Sequence, residues 1–352
     1  MRPEALDTPT PLVDLDRVER NLTRMQAYCD RYGLKLRPHI KTHKLPQLAR
    51  RQIELGAVGI TCQKISEALV MAEAGCGDIL LSYPIVGAAK IGPLADLARA
   101  TRLTVGLDSE VALGTVAAAA QEADAEIGVL VEFESGGRRS GVQTPDEALA
   151  LARRAHGDGQ LVFRGLMTYP HGPETAPFVA EARSLFEREG IPIEVVSVGG
   201  TPDYGRTHEV PQATELRVGT YVYHDRATVA AGAATLDDCA LHVLASVVSR
   251  PTPDRAILDA GSKTLSSDRV APSAGEGYGL ILEYPDAVIE RLNEEHGVVD
   301  LLRCARRPAI GERVHIVPNH VCVVSNLHDA VAVTRGGEVV DTWRVAARGC
   351  TR

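Results

Sequence analysis

The residue types best suited to covalent chemistry lie in Arg37-Pro38-His39-Ile40-Lys41-Thr42-His43-Lys44. An apolar alternation, Leu34-Lys35-Leu36, precedes them and predicts a short strand, so Lys41 follows a strand end. Neighbouring cations disfavour an ammonium group and leave more free amine near neutral pH, which makes Lys41 a candidate nucleophile. A basic surface loop has the same composition, and the other motifs decide between the two.

Two glycine-rich segments come later, Val198-Gly199-Gly200-Thr201-Pro202 and Arg217-Val218-Gly219-Thr220-Tyr221. Backbone amides freed of side chains, with a threonine hydroxyl, form an anion cradle of the kind barrels place after their last strands. A phosphate anchor combined with an amine nucleophile is the pattern of a pyridoxal 5'-phosphate (PLP) Schiff base. Arg139, between the glycines of Glu134–Val142, can meet a ring nitrogen or a carboxylate. Tyr169, after the apolar run Val162–Thr168, can pack on an aromatic cofactor or cap a barrel, and His171 is a candidate acid or base. In Pro318-Asn319-His320-Val321-Cys322 an imidazole is two positions from a thiol. Read as a strand, this puts His320 and Cys322 on one side, able to bind one ion. Two protein ligands leave room for water or substrate, as in a catalytic metal site.

The elements that must position these groups alternate. Strand-like runs fall near Leu34–Arg37, Ala57–Thr61, Asp78–Ser82, Leu103–Gly106, Glu126–Phe133, Val162–Thr168, Ile193–Val198 and Glu215–Val222. Helix-period stretches separate them, among them Ile65–Ala74, Glu110–Ala123 and Asp146–Ala155. Eight such units predict an α/β fold, a (β/α)8 TIM-type barrel with its chemistry at the C-terminal strand ends; a doubly wound sheet is the alternative. After about Ala227 the runs Cys239–Arg250, Ala256–Ala260, Arg313–Val317, Val321–Val324, Ala330–Thr334 and Glu338–Val345 predict a mainly antiparallel β domain. The expected division is residues 12–235 for the barrel, and 1–11 with 236–352 for the β domain carrying the His320/Cys322 pair.

At 352 residues, 45% hydrophobic and 24% charged, the chain is large enough for such a core. A net charge of −8 argues against nucleic acid or an anionic membrane as partner, and no apolar run approaches the length of a membrane span. Seven scattered cysteines and a charged N-terminus without a signal-peptide core fit a reducing cytoplasm.

Taken together, these motifs resemble the D-serine dehydratase/D-threonine aldolase family, metal-activated members of the alanine-racemase-like (fold type III) PLP enzymes. The resemblance spans nearly the whole chain. R-P-H-x-K-T-H-K at Arg37–Lys44 resembles the family's lysine motif and implies that Lys41 carries PLP. Thr61-Cys62-Gln63-Lys64 with Glu67-Ala68, Asp259–Lys263 and Glu295-His296-Gly297 resemble further family blocks. G-x-x-R-x-G-V at Gly136–Val142 implies that Arg139 contacts the PLP ring nitrogen, and Tyr169 matches a tyrosine near the cofactor. Gly199, Gly200, Thr201, Gly219 and Thr220 match the phosphate loops, and Pro-Asn-His-x-Cys implies a divalent metal on His320 and Cys322. Where family members often carry Tyr-x-Gly-His, this chain has Tyr169-Pro170-His171-Gly172.

The resemblance implies a PLP- and metal-dependent lyase acting on D-β-hydroxy amino acids, with Lys41 and His171 as catalytic candidates. Family aldolases tend to show H-x-D at the metal, so Cys322 favours D-serine dehydratase-like α,β-elimination to a 2-oxo acid and ammonia. It also favours zinc over manganese or magnesium. D-threonine aldolase-type cleavage to glycine and an aldehyde is the alternative, followed by a racemase or a non-catalytic PLP carrier. The fold further implies a homodimer with a shared active site.

Overall fold

Strand β1 (Thr10–Asp14) runs directly into helix α1 (Leu15–Tyr32), whose first turn is capped by Asp14: its Oδ1 accepts from the amides of Asp16 and Arg17. From there the computed structural model, which describes residues 1–271 and 275–352, alternates strand and helix. The succession is β2 (Lys35–Leu36), α2 (Pro46–Glu54), β3 (Ile60–Cys62), α3 (Ile65–Glu73), β4 (Asp78–Leu81), α4 (Ile91–Ala100), β5 (Arg102–Leu107) and α5 (Glu110–Ala123). It continues with β6 (Ile127–Glu132), α6 (Pro145–His156), β7 (Leu161–Thr168), α7 (Thr175–Arg188), β8 (Val195–Gly199) and β9 (Glu215–Arg217). The helix starts follow local chemistry. Thr144 and Glu147 form a capping box with Pro145 in the first turn of α6, and Ser109 caps α5 through the Ala112 amide.

The chain divides into two units: Met25–Lys41, Pro46–Gly219 and Cys350–Arg352 in one; Met1–Arg24, Thr42–Leu45 and Thr220–Gly349 in the other. In the first, β2 to β9 form an eight-stranded parallel sheet in the order β2-β9-β8-β7-β6-β5-β4-β3. Its two edges meet. The Val58 amide donates to Leu36 O at 2.9 Å and the Thr61 amide to Pro38 O at 2.8 Å, with a parallel bridge between His39 and Thr61. The result is the expected (β/α)8 barrel. All six residues of β6 are buried, as a parallel strand covered on both faces requires. At the N-terminal end of the seam, Arg37 donates to Glu215 on β9 and to Asp78 on β4, and the Ser197 hydroxyl donates to Glu215 at 2.5 Å.

The second unit contains α8 (Arg226–Ala230), β10 (Leu241–Thr252), β11 (Arg255–Leu258), α9 (Ser262–Leu265), β12 (Gly279–Ile281), β13 (Val288–Leu292) and β14 (Gly297–Asp300). It ends with β15 (Arg313–Pro318), α10 (Val321–Leu327), β16 (Ala330–Arg335) and β17 (Glu338–Arg344). The sheet order is β13-β14-β11-β10-β1-β16-β17, with β15 on β10 and β12 on β15. Every pairing is antiparallel except β1 with β16.

One sequence expectation is corrected here. Val321–Val324, expected as a strand for its β-branched residues, is the first turn of α10. The Val321 amide donates to Asp225 Oδ2 at 3.2 Å, so a distant carboxylate caps the helix and outweighs local propensity.

Candidate active site

At the C-terminal strand ends the barrel gathers a second group of polar side chains. Lys41 lies in a 3₁₀ turn (Ile40–Thr42) directly after the seam residue His39 and is partly exposed. The imidazole of His39 sits between Gln63 Oε1 at 2.9 Å and Ser82 Oγ at 3.3 Å, which ties the lysine turn to the ends of β3 and β4. Burial first, and then the cations Lys41 and Arg217, hold the His39 pKa well below the ordinary histidine value. His39 is therefore neutral at physiological pH. Arg37 does not join this group, because its charge is spent on Glu215 and Asp78 at the other end of the seam.

The loop after β6 is folded back on its own strand. The Glu134 amide donates to Val142 O, the Gly141 amide to Asp108 Oδ2, and Glu134 accepts from the Gly136 and Arg139 amides. At Gly141, φ is +113° and an added Cβ would lie 2.5 Å from the Phe133 carbonyl carbon, so only glycine permits this return. It delivers Arg139 to the ring of Tyr169, with 4.9 Å from Cζ to the ring centroid, and to Glu132 Oε1, 3.6 Å from Nη2. Tyr169 is itself 43% exposed, so its ring is available to a ligand. His171 is buried; its Nδ1–H donates to Gly199 O at 3.2 Å, so Nε2 is the nitrogen not engaged in that bond. A Cβ on Gly199 would meet Tyr169 Cδ2 at 3.1 Å, so the bare glycine is what lets the ring approach the loop that continues into Gly200 and Thr201.

Two residues not singled out from sequence complete this cluster. Arg217, at the end of β9, is 5% exposed; its Nη2 donates to Thr168 O at 2.8 Å, and its buried Nη1 has no hydrogen-bond partner among the described residues. Burial lowers its pKa to about 10, against the pull of Glu215 and Glu132. Glu132 is 2% exposed, and burial raises its pKa against the charges of Arg217 and Arg139. Their signal was a charged residue ending each apolar strand, where barrels keep their chemistry. An unpartnered guanidinium nitrogen, an exposed tyrosine ring and a glycine cradle are what an aromatic phosphorylated cofactor needs, and a strand-end lysine stands with them. These residues fit PLP. Of the second glycine loop, Gly219 falls in the barrel unit and Thr220 begins the 3₁₀ turn Thr220–Val222 of the other unit.

In the second unit His320 is the residue before α10 and Cys322 the second residue within it, so they meet by helix geometry and not on a strand face. His320 Nδ1 lies 2.9 Å from Oδ2 of the fully buried Asp225, and the same imidazole is hydrogen-bonded to Cys322. Burial opposes a charge on His320, but the bonds to Asp225 and Cys322 outweigh it and push its pKa up to about 11. Thr42 Oγ1 is 3.2 Å from Cys322 Sγ. Asn319, nearly fully buried, donates to Asp268 O and Gly277 O and fixes the chain before His320. Metal-ligating histidines are commonly oriented by a carboxylate on the other ring nitrogen, as Asp225 does here while Nε2 lies beside a thiol, so this pair fits a divalent ion. Among the described residues no group of three or more His, Cys, Asp or Glu gathers as a metal site. Asp225 was also missed from sequence, although Asp225-x-x-Thr228 is a legible capping pattern for α8.

A parallel barrel with a strand-end lysine, joined to an antiparallel β unit, defines an alanine-racemase-like protein. Residues 13–227 match the model "Alanine racemase, N-terminal domain", and residues 240–334 match "Putative serine dehydratase domain". D-threonine aldolase of Arthrobacter sp is 38% identical over 99% of this chain and 94% of its own. D-threo-3-hydroxyaspartate dehydratase of Delftia sp. (strain HT23) is 33% identical over 96% and 97%. A cysteine-to-alanine variant of a D-threo-3-hydroxyaspartate dehydratase, solved in a metal-free form, superposes with a TM-score of 0.82 at 32% identity, covering 98% of both chains. The crystal structure of D-threonine aldolase from Filomicrobium marinum gives a TM-score of 0.90 at 34% identity, covering 100% of this chain and 98% of that one. The chain belongs to the alanine-racemase-like PLP family of D-threonine aldolases and D-serine and D-3-hydroxyaspartate dehydratases.

Proposed function

We propose that this chain is a lyase of D-β-hydroxy amino acids that uses PLP and a divalent metal. The observation that carries the reading is the barrel mouth, where a strand-end lysine stands with an unpartnered buried arginine nitrogen, an exposed tyrosine and a glycine cradle. Lys41 Nζ would hold the cofactor. The amides of Gly199, Gly200, Thr201, Gly219 and Thr220 would bind its phosphate, Tyr169 would pack on its ring, and Arg139 would face its ring nitrogen, a place Arg217 Nη1 also suits. Bound PLP supplies an electron sink for the pair left at Cα. An arginine opposite the ring nitrogen weakens that sink, which raises the share of the barrier that other groups must lower.

His320 and Cys322 would hold the metal, whose chemistry is that of a Lewis acid on the substrate's β-oxygen. Sulfur ligation favours zinc. In D-serine dehydratase-like elimination, Lys41 Nζ removes the Cα proton and the β-hydroxyl leaves; Cys322 in place of a carboxylate favours this course. In retro-aldol cleavage a base removes the β-hydroxyl proton, and His171 Nε2 is the nitrogen left for it. The 38% identity with D-threonine aldolase of Arthrobacter sp favours that second reading. A homodimer with a shared active site, in a reducing cytoplasm, completes the proposal. No disulfide joins the seven cysteines, and among the described residues no helix is long and apolar enough to cross a membrane.

The test is to incubate PLP- and metal-loaded protein with D-threonine and D-serine and identify the products. Glycine with acetaldehyde assigns the aldolase, and 2-oxobutyrate or pyruvate with ammonia assigns the dehydratase. Tight PLP binding without either product would overturn the lyase reading.

A further inference from the structure

Glu132 ends β6 as a nearly fully buried carboxylate, which is costly unless its charge is matched. Two guanidinium groups match it. Arg139 Nη2 lies 3.6 Å from Glu132 Oε1, and Arg217 bears on the same carboxylate from the end of β9, while Ser140 adds a hydrogen bond. The two arginines are held differently. Arg217 is buried in its strand and tied to Thr168 O. Arg139 is on a loop with its side chain 52% exposed, and its guanidinium lies against Glu132 and the Tyr169 ring. Without the carboxylate, two like charges would face each other at the barrel mouth, and the freer one would swing out to water.

We propose that Glu132 is a positioning residue that holds the Arg139 guanidinium at the barrel mouth against repulsion from Arg217, so that Arg139 meets the cofactor. This rests on PLP being the cofactor, as proposed above. It assigns Glu132 no contact with substrate or cofactor.

The experiment titrates wild type, Glu132→Gln, Arg139→Ala and the double variant with PLP, following the visible absorbance band and its pH dependence, alongside thermal melting. Glu132→Gln is expected to weaken PLP about tenfold. It should also raise the pH midpoint of the band, in the same direction as Arg139→Ala, because the cofactor loses the guanidinium charge held beside it. In the Arg139→Ala background the same substitution should change affinity less than about twofold, since nothing is left to position. Equal losses in both backgrounds, or an unchanged affinity and midpoint in Glu132→Gln, would overturn the inference. Should Glu132→Gln fail to fold, Glu132→Asp keeps the charge but withdraws it by one methylene; wild-type affinity there would overturn it equally. A wild type that shows no visible band with PLP brings down the cofactor reading and this inference together. A normal wild-type band with an indifferent Glu132→Gln brings down the inference alone.

Discussion

Arg37 and Glu215, 178 positions apart in the chain, join Nε to Oε2 at 2.7 Å across the seam where the barrel closes. The same guanidinium reaches Asp78 through Nη1, so a single side chain, 13% exposed, ties β2 to β9 and β4. Removing it takes the ion-pair partner from Glu215, which is almost fully buried, and leaves Asp78 to Arg102 at 3.8 Å. Arg37→Met should therefore cost about 3–5 kcal/mol of stability, read from the urea midpoint. A loss below about 1 kcal/mol would mean that the seam does not depend on this pair.

Lys41→Ala should abolish the visible PLP band and reduce turnover by at least about a thousandfold, the scale expected when a covalent catalyst is removed. Circular dichroism should be unchanged, because the lysine is partly exposed and lies in a 3₁₀ turn outside the strand ladder. Full turnover in this variant would end the Schiff-base assignment.

Asp225→Asn keeps the shape of the residue that orients His320 but removes its charge. Metal affinity, measured by competition with a chromogenic chelator, should fall about 10- to 100-fold. His320→Ala should remove metal binding while sparing the PLP band. A metal affinity untouched by either change would exclude the His320/Cys322 pair as its ligands.

Gly199→Ala puts a methyl group 3.1 Å from both Tyr169 Cδ2 and Arg217 O. The backbone oxygen cannot yield easily, so the ring must move. PLP affinity should drop several-fold with little change in melting temperature, and an unchanged affinity would show that Tyr169 does not face the cofactor.

Stability should decline in acid for a definable reason. His224 and His242 both have pKa values lowered to about 4, chiefly by burial and then by Arg24 for His224 and Arg17 for His242. A base with a depressed folded pKa takes up its proton more readily when unfolded. Its stabilising contribution is thus complete above the ordinary histidine value and is lost as pH falls from about 6.5 toward 4. For His224, 1% exposed, this amounts to about 3 kcal/mol. Melting temperatures between pH 7 and 4 should fall for the wild type and fall less for His224→Asn; parallel curves would refute the assignment.

The barrel was legible because its signal is local and repeated: every strand from Lys35–Leu36 to Glu215–Arg217 coincides with an apolar run between amphipathic stretches. The lysine motif and the glycine loops stood out in the sequence because few other residue types serve the chemistry proposed for them. What sequence could not show was pairing between distant charges. Arg37 looked like a neighbour of Lys41, whereas Asp78 and Glu215 draw it to the opposite end of the seam. Nothing in the sequence linked Glu132 to Arg217, which the barrel brings together. Strands β12, β13 and β14 escaped notice because they are only three to five residues long, and Glu290 and Arg291 interrupt β13. Val321–Val324 read as a strand because the cap that makes it a helix comes from Asp225, 96 positions away.

The seam also constrains the order of events during synthesis. Strand β2, which carries the lysine turn, has only two residues and finds its ladder partner in β9, near the end of the barrel sequence. An emerging chain holds Lys41 long before it holds Glu215, Leu216 or Val218, whose backbones receive Lys41's own strand. Long-range closure of this kind is late and slow compared with local helix formation. The turn that carries Lys41 thus gains its strand partner only after the last barrel strand has been synthesised.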